Sequence, residues 1–248
     1  MTGTDDAWKA WGASDPYFGV ETNRKFRRDS FALNKDEFFR FGQAHIADRL
    51  RFIERVYGGV SRGTAIDFGC GVGRLMIPLA AAYGHVAGVD ISPGMITEAK
   101  RNCAEQGAAN VSFFSAIDEA VRATGPVDLV NSSFVLQHIG VEQGMRAVRA
   151  LLGTLAPGGI AALHLTFDRG YPPAKEAMYQ ARRLVPGFAT AMNLLRGRPM
   201  AEPMMQMNNY PQARLLRLYR KCGLAEIVCE PQFDRHALGF VYYGRKAG

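Results

Sequence analysis

The feature that most constrains the fold of this chain is the glycine-rich run DFGCGVG at residues 67–73. The segment TAIDFG at 64–69 predicts a short buried strand, and residues 74–83 predict a helix directly after the run. Glycines in a turn between a strand and a helix let the backbone bend tightly and come close to a ligand. The run therefore predicts an α/β fold that binds a ligand at the carboxyl end of its first strand.

Strand and helix patterns alternate in the segment that follows the run. Ser92 is a good N-cap and Pro93 is a favourable first helical residue, so the next helix has a clear start. Alternating strands and helices form a parallel sheet covered by helices on both faces, which predicts a doubly wound, Rossmann-like α/β fold. The predicted elements are strands at 85–90, 111–116, 127–134 and 159–167 and helices at 93–106 and 141–155.

Two acidic residues accompany the glycine run. Asp67 opens the run, and Asp90 ends the second predicted strand, where a carboxylate can accept hydrogen bonds from both hydroxyls of a ribose. A dinucleotide-binding run would carry its third glycine one position later, where this chain has Arg74. Asp67 would repel a pyrophosphate but attract a cationic amino-acid tail. The pattern therefore favours an adenosine-containing cofactor without phosphates.

Together these segments resemble the motifs of the class I S-adenosylmethionine-dependent methyltransferases. AIDFGCGVGRLMIPLA resembles the first motif of that family, and GVDISPGMITEAK resembles the second. VDLVNSSFVLQHI and LLGTLAPGG resemble the fourth and fifth motifs, so the similarity covers about residues 64–167. The combination is specific. It implies a seven-stranded sheet in the order 3-2-1-4-5-7-6, with the seventh strand antiparallel.

The resemblance also implies which residues bind S-adenosylmethionine, whose product is S-adenosylhomocysteine. The implied set is Asp67, Gly69, Cys70, Gly71, Gly73, Asp90, Ile91, Met95, Ala116, Ile117, Asn131 and Ser132. Asp90 would hold the ribose, and Asn131 and Ser132 would lie near the reacting sulfonium. Relatives often carry an aspartate after strand three for the adenine amino group. Here the backbone of Ala116 and Ile117, or Asp118 in a shifted register, would take that role.

We expect one methyltransferase domain in four parts. In the first part, the long predicted helix at 34–57 would begin at Asn34, with Glu37 placed as in a capping box. The third part interrupts the alternation of strands and helices with five prolines, and we expect it to lie over the ligand cleft. Within 1–248, the parts are an N-terminal helical cap at 1–58, a cofactor-binding core at 59–167, a lid or substrate insertion at 168–208, and a closing helix with two strands at 209–248.

Histidines are the first candidates for a catalytic base, because transfer to a hydroxyl is helped by a group that titrates near neutral pH. His138 follows the fourth predicted strand, and His236 precedes the last one, so these two are the predicted catalytic residues. His45, His85 and His164 are expected to be structural. The chain lacks the [N/D]-P-P-[Y/F] signature of enzymes that methylate exocyclic amino groups and the acidic cluster of metal-assisted catechol methylation. This favours O- or N-methylation of a small molecule without a metal.

The excess positive charge is confined to one stretch. The formal net charge is +7 at pH 7, and residues 175–221 carry nine basic and two acidic residues, which accounts for all of it. The stretch overlaps the insertion, which holds six of the ten methionines and so favours an adaptable apolar pocket. Methionine beside arginine indicates a partly apolar, anionic acceptor more than a nucleic acid.

The leading prediction is therefore an enzyme that methylates a secondary metabolite or a sugar-like compound. The alternatives are an RNA methyltransferase that uses the basic stretch 175–221, and a catalytically silent partner subunit that binds S-adenosylmethionine. The polar N-terminal residues are unlike a signal peptide, and no apolar run is long enough to span a membrane. The four cysteines lack metal-ligand spacing. These features predict a cytoplasmic protein with no membrane span and no metal.

Overall fold

The computed structural model of the protein describes residues 4–185, 187–234 and 237–248. In this part of the chain, seven strands form one sheet and ten α-helices surround it. The strands are β1 (Thr64–Phe68), β2 (His85–Val89), β3 (Val111–Phe114), β4 (Val127–Ser132), β5 (Leu155–Asp168), β6 (Leu224–Asp234) and β7 (Ala237–Lys246). The helices are α1 (Thr4–Ser14), α2 (Pro16–Val20), α3 (Phe31–Tyr57), α4 (Met76–Ala82), α5 (Pro93–Glu105), α6 (Ile117–Thr124), α7 (Val141–Gly153), α8 (Pro173–Leu184), α9 (Phe188–Leu195) and α10 (Gln212–Lys221).

The order of the strands is β3-β2-β1-β4-β5-β7-β6, and β7 runs antiparallel to both of its neighbours. This confirms the predicted seven-stranded, Rossmann-like topology. The register places Asp67 of β1 beside Gly88 of β2 and Asn131 of β4. The carboxyl ends of these three parallel strands therefore meet at one edge of the sheet, where the glycine run begins.

Apolar side chains cover both faces of the sheet. Helices α6, α7 and α10 pack on one face through Ala120, Leu151 and Leu215, all of which are fully buried. Helices α3 and α4 pack on the other face through Ile53 and Leu79. Burial on both sides explains why the parallel strands are nearly continuous apolar runs in the sequence.

A third apolar cluster, the aromatic cap, holds the N-terminal helices against the ligand edge of the sheet. Tyr17 stacks on Phe31, with ring centroids 3.6 Å apart. The cap packs on Val72 of the glycine run and on Met95 of α5. Replacing one such buried ring by alanine typically costs about 3–5 kcal/mol, so the contact is a strong one. The aromatic cap comprises Trp11, Tyr17, Phe26, Phe31, Phe38 and Phe39.

The start of α3 differs from the prediction. The helix begins at Phe31, three residues before the expected Asn34, and Ser30 precedes it without a side-chain cap. Asn34 instead lies in the first turn, where its Nδ2 donates to the carbonyl of Ser30 at 2.8 Å. Glu37 forms an ion pair with Lys25 at 2.5 Å and does not close a capping box. The predicted N-cap at Asn34 was wrong. Packing of the aromatic cluster extends the helix towards the N-terminus, so that it begins at Phe31.

The predicted insertion at 168–208 contains α8, α9 and a return segment at 196–208. The Asn193 side chain donates to the carbonyl of Glu202 at 2.9 Å, which ties α9 to the return segment. That segment then joins the turn after β4, where the backbone N–H of Asn208 donates to the carbonyl of Gln137 at 2.6 Å. Among the helices in the described ranges, none combines the length and the apolar character needed to cross a bilayer.

Candidate functional site

The glycine run forms a loop that only glycine can build. Gly69, Gly71 and Gly73 adopt φ angles of 75°, 53° and 84°, in the left-handed region that other residues rarely enter. A Cβ atom on Gly69 would lie 2.3 Å from a methyl carbon of Val135, and one on Gly71 would lie 2.7 Å from a methyl carbon of Val20. The close contacts explain the spacing of the first two glycines. They also show that α2 reaches over the loop.

A cavity of about 490 Å³ lies at the carboxyl ends of β1 and β2, beside this loop. Ten of the predicted site residues line it: Asp67, Gly69, Cys70, Gly71, Asp90, Ile91, Met95, Ala116, Ile117 and His138. These residues come from segments far apart in the sequence, and the sheet topology brings them together. Asp118 lines the same cavity, as do Thr4 and Trp8 of α1.

Three residues of the predicted set do not line the cavity. Gly73 packs against Ala99 and Cys103 of α5, at 3.3 Å from the position of a Cβ atom. Asn131 and Ser132 are fully buried within the sheet edge, where the Ser132 hydroxyl donates to the carbonyl of Phe68 at 2.9 Å. The next two residues, Ser133 and Phe134, line the cavity instead. The predicted second catalytic residue, His236, lies outside the described residues.

Asp90 is fixed by two backbone donors. Its Oδ2 accepts from the N–H of Gly71 and its Oδ1 accepts from the N–H of Ser92, both at 2.9 Å. Ser92 also caps α5 as predicted, because its hydroxyl accepts from the N–H of Met95. Burial raises the pKa of Asp90, and the two backbone hydrogen bonds oppose that shift. A carboxylate has about four acceptor sites, so two are left for a ligand in the cavity.

Asp67 lies at the centre of a buried polar network. Its Oδ1 accepts from the Asn131 side chain at 2.7 Å, and the Asn131 carbonyl oxygen accepts from Arg49 of α3 at 2.5 Å. Arg49 also donates to the hydroxyl of Ser133 at 2.6 Å. The side chain of Tyr243 in β7 faces the guanidinium group and opposes the lowering of its pKa by burial. Desolvation raises the pKa of Asp67 to about 6, while the Asn131 hydrogen bond and the charge of Arg49 lower it. The network therefore holds a buried carboxyl group whose pKa lies close to neutral pH.

Arg49 has no place in the sequence-based prediction, although it is 4% exposed and bears a full charge. It lies between Ile46 and Ile53 on the buried face of α3. A charged residue within an apolar helical stripe is the signal that could have revealed it, since such a residue is buried only when paired. Its partners are not visible from the sequence, because they lie on β4 and β7.

Two atoms that face this cavity fit the amino-acid end of S-adenosylmethionine. Oδ2 of Asp67 and Nε of Arg74 are buried and have no hydrogen-bond partner among the described residues. One is an acceptor on an acid and the other is a donor on a base. An α-ammonium group and an α-carboxylate group would satisfy them in the same order. Arg74 also pairs with Glu21 at 3.1 Å, which positions its guanidinium group.

His138 lines the same cavity in one defined tautomer. Its Nδ1 lies 2.6 Å from the carbonyl oxygen of Gln206 in the return segment, and a carbonyl oxygen can only accept. The proton of the neutral ring is therefore on Nδ1, and Nε2 carries the lone pair. The indole of Trp8 packs beside the ring, with centroids 5.0 Å apart.

Phe134 has a strained backbone at the wall of the cavity. Its φ of 59° is uncommon for a residue other than glycine and costs about 1–3 kcal/mol. The strain is held by the N–H of Phe134, which donates to Nδ1 of His164 at 3.3 Å. Burial lowers the pKa values of His164 and His45 to about 3, so both rings are neutral near pH 7. These two histidines act as fixed hydrogen-bonding groups around the wall.

Comparisons with known proteins agree with this geometry. Residues 65–159 match the family model described as a methyltransferase domain. The ubiquinone biosynthesis O-methyltransferase of Hydrogenovibrio crunogenus is 29% identical over 153 residues, which are 60% of this chain and 62% of that protein. The aklanonic acid methyltransferase of a Streptomyces species is 31% identical over 87 residues, which are 34% of this chain and 40% of that protein. The chain thus spans less than two thirds of each curated relative.

A solved structure shares the fold over nearly the whole chain. Magnesium protoporphyrin IX methyltransferase from Synechocystis PCC 6803, with bound S-adenosylhomocysteine, superposes with a TM-score of 0.67 at 18% identity. The superposition covers 98% of this chain and 100% of that one. Residues 65–159 therefore match a methyltransferase domain, and the chain has the fold of the class I S-adenosylmethionine-dependent methyltransferases. The methyltransferase-domain match, together with the S-adenosylhomocysteine bound in this structural neighbour, supports S-adenosylmethionine, the predicted cofactor.

The basic stretch at 175–221 does not face the cavity. None of the nine basic residues between 175 and 221 is among the lining residues of the described part. The cations that line the cavity are Arg74 and Arg146. Two basic residues of the stretch form ion pairs among the described residues: Arg198 with Glu202 and Arg214 with Glu142 of α7. The net charge of the chain therefore resides on surfaces away from the cofactor.

Proposed function

We propose that this methyltransferase methylates an oxygen or nitrogen atom of a small-molecule acceptor. The observation that carries the proposal is a single cavity that joins the cofactor residues to His138 and to the rings of Trp8 and Phe134. An enclosed space with apolar walls and a few polar groups is typical of a small-molecule site. The names of two of the curated relatives, a ubiquinone biosynthesis O-methyltransferase and an aklanonic acid methyltransferase, favour the same class of acceptor.

The cofactor would be held by groups that already have their orientation. Asp90 would accept from the ribose hydroxyls, and Asp67 and Arg74 would bind the ammonium and carboxylate groups of the amino-acid tail. Ile91 and Met95 would pack against the adenine. When bound, S-adenosylmethionine supplies a methyl group that its sulfonium makes electrophilic. The part of the protein is to position the acceptor and to exclude water.

His138 would accept the proton of an acceptor hydroxyl. The hydrogen bond from its Nδ1–H to Gln206 fixes the ring with its lone pair on Nε2. The side-chain amide of Gln137 lies 3.4 Å from Nε2, so this contact is weak and easily replaced by an acceptor group. A base held in this way typically contributes about 10²–10⁴ to the rate.

Purified protein, methyl-labelled S-adenosylmethionine and a fractionated metabolite extract test the proposal. We expect label in a small molecule with the wild type and none with Asp90→Ala, because loss of the carboxylate removes the ribose contact. Calorimetry with S-adenosylhomocysteine should show no measurable binding to Asp90→Ala, while Asp36→Ala, at an exposed position of α3 outside the cavity, keeps wild-type affinity within a few fold.

Two outcomes would contradict the proposal. Wild-type protein that binds S-adenosylhomocysteine but transfers label to no fraction would be a silent cofactor-binding subunit. Label that appears only in added RNA would identify an RNA methyltransferase.

A further inference from the structure

Exposed apolar side chains are concentrated in the hairpin formed by α8 and α9. Six large apolar residues between positions 178 and 200 are exposed, half of the twelve in the described part of the chain. Leu194 and Leu195 are 64% and 80% exposed, at the end of α9. The other four are Met178, Leu184, Val185 and Met200. A cluster of this kind is uncommon on a protein surface that faces only water, and it marks an interaction site.

The same segment carries positive charge without any acidic residue. Residues 178–200 contain four arginines and no Asp or Glu. The nearest acid after them, Glu202, is already paired with Arg27 and Arg198. Burial and the charges of Arg196 and Arg198 lower the pKa of Arg182, which shows that these arginines repel one another. Apart from Arg198, the arginines of this segment form no ion pair with an acidic partner among the described residues, and they lie in the same segment as the exposed leucines and methionines.

We propose that the α8–α9 hairpin docks on the surface of a lipid bilayer that contains anionic headgroups. Short helices with apolar residues beside arginines bind in the interfacial plane, where the apolar side chains enter the acyl boundary and the guanidinium groups meet phosphates. Helices of 12 and 8 residues are too short to span a bilayer, so the docking is peripheral.

Other occupants fit this surface less well. Single-stranded RNA is bound through aromatic side chains on which bases stack, whereas the exposed apolar residues here are aliphatic or methionine. A second copy of the chain would bring its own arginines against these, and like charges oppose such a contact. An anionic bilayer supplies both the apolar layer and the opposite charge.

Docking would act close to the cavity. The return segment that leaves the hairpin carries Gln206, whose carbonyl accepts from His138, and Met205, which packs on the aromatic cap. The hairpin and the acceptor side of the cavity are thus joined by one short segment. The proposal does not depend on the identity of the acceptor.

Sedimentation with vesicles tests the proposal in the full-length chain. We expect the wild type to bind vesicles of equimolar phosphatidylcholine and phosphatidylglycerol, less so as salt is raised, and to bind phosphatidylcholine vesicles weakly. Leu194→Ser with Leu195→Ser should lower the partition coefficient about tenfold or more, because two exposed side chains leave the acyl boundary. Arg183→Gln with Arg196→Gln should lower it about tenfold or more.

The matched control is Arg217→Gln with Arg220→Gln, which removes the same charge from exposed positions on α10. We expect this pair to keep most of the vesicle binding, and all variants to keep the wild-type melting temperature. Equal losses in the hairpin and control pairs would overturn the proposal, since net charge alone would then explain binding. So would binding of RNA without binding of vesicles. Self-association that the leucine variants abolish, with no vesicle binding, would assign the surface to a second copy.

Discussion

The cofactor cavity and the α8–α9 hairpin differ in what they leave without a partner. At the floor of the cavity, which Asp67 and Arg74 form, polar atoms lack partners; at the hairpin, apolar side chains do. At the floor, apolar side chains are packed, while one oxygen of Asp67 and one nitrogen of Arg74 are unmatched. At the hairpin, polar groups reach water, while Leu194 and Leu195 are uncovered. Unmatched buried polar atoms and exposed apolar clusters both raise the free energy of the free protein. Each region therefore indicates its ligand by the interaction that it lacks.

The largest expected difference between the two regions is in stability. Arg49→Met should lower the free energy of unfolding by about 3 kcal/mol, because it leaves Asp67 and Asn131 buried without their cation. We place the value at the lower end of the range for a broken buried pair because Asp67 can take up a proton. Urea denaturation followed by circular dichroism measures it.

The matched change in the hairpin is Arg183→Gln, which we expect to alter stability by less than about 0.5 kcal/mol. A loss of similar size in both variants would contradict the comparison, since it would mean that the hairpin arginine is as deeply paired as Arg49. Arg49→Lys should recover part of the loss, because it restores the charge without the planar donor group.

A second prediction concerns His138, where the cavity meets the insertion. His138→Ala should lower kcat about a hundredfold and leave the Kd of S-adenosylhomocysteine within a few fold, because the base is lost while the cofactor floor is intact. The rate is measured with the acceptor identified from the labelled extract. His85→Ala, at the start of β2, is the control and should keep the wild-type rate. An unchanged rate in His138→Ala would remove this residue from the mechanism.

The smallest effect is a pH dependence of cofactor binding. Asp67 has a pKa of about 6 and faces Asn131, Arg49, Asp90 and Arg74. Above this pKa the carboxylate is ionised and attracts an ammonium group; below it the charge is lost. Affinity for S-adenosylhomocysteine should therefore fall about fivefold between pH 6 and pH 5, as the ionised fraction of Asp67 falls. Calorimetry across this range measures the slope.

Asp67→Asn is the control for that slope, since the amide cannot titrate. We expect weaker binding that changes little with pH. His45 and His164, whose pKa values burial lowers to about 3, stay neutral throughout the range. A slope as steep in Asp67→Asn as in the wild type would assign the titration to another group, such as Asp90.

The sequence allowed the fold and the centre of the site to be predicted because their signals are local. The glycine run and the Ser92–Pro93 helix start each depend on neighbouring residues, and the family resemblance supplied the strand order that the model confirms. Asp90 was found in the same way, since it ends a strand and precedes a helix cap. Local signals of this kind can be recognised in the sequence without knowledge of the tertiary packing.

The missed features depend on contacts between distant parts of the chain. Arg49 meets Asn131 and Tyr243 only after the sheet has formed, so no spacing in the sequence reveals the pairing. Arg74 was used to exclude a dinucleotide, and its free Nε became visible only with the cavity around it. Asn131 and Ser132 were predicted as site residues because they end β4. The sequence alone does not distinguish these two buried residues from Ser133 and Phe134, which line the cavity.

The approach of Tyr243 to Arg49 also has a consequence for how the protein folds. It connects α3, formed early in the chain, with β7, a strand that enters the sheet between β5 and β6. Contacts of such large sequence separation form slowly, because the intervening chain must first be ordered. The polar network around Asp67 therefore reaches its final form only when β7 has paired with its neighbours in the sheet. A mutation that slows pairing of β7 should delay the appearance of cofactor binding during refolding.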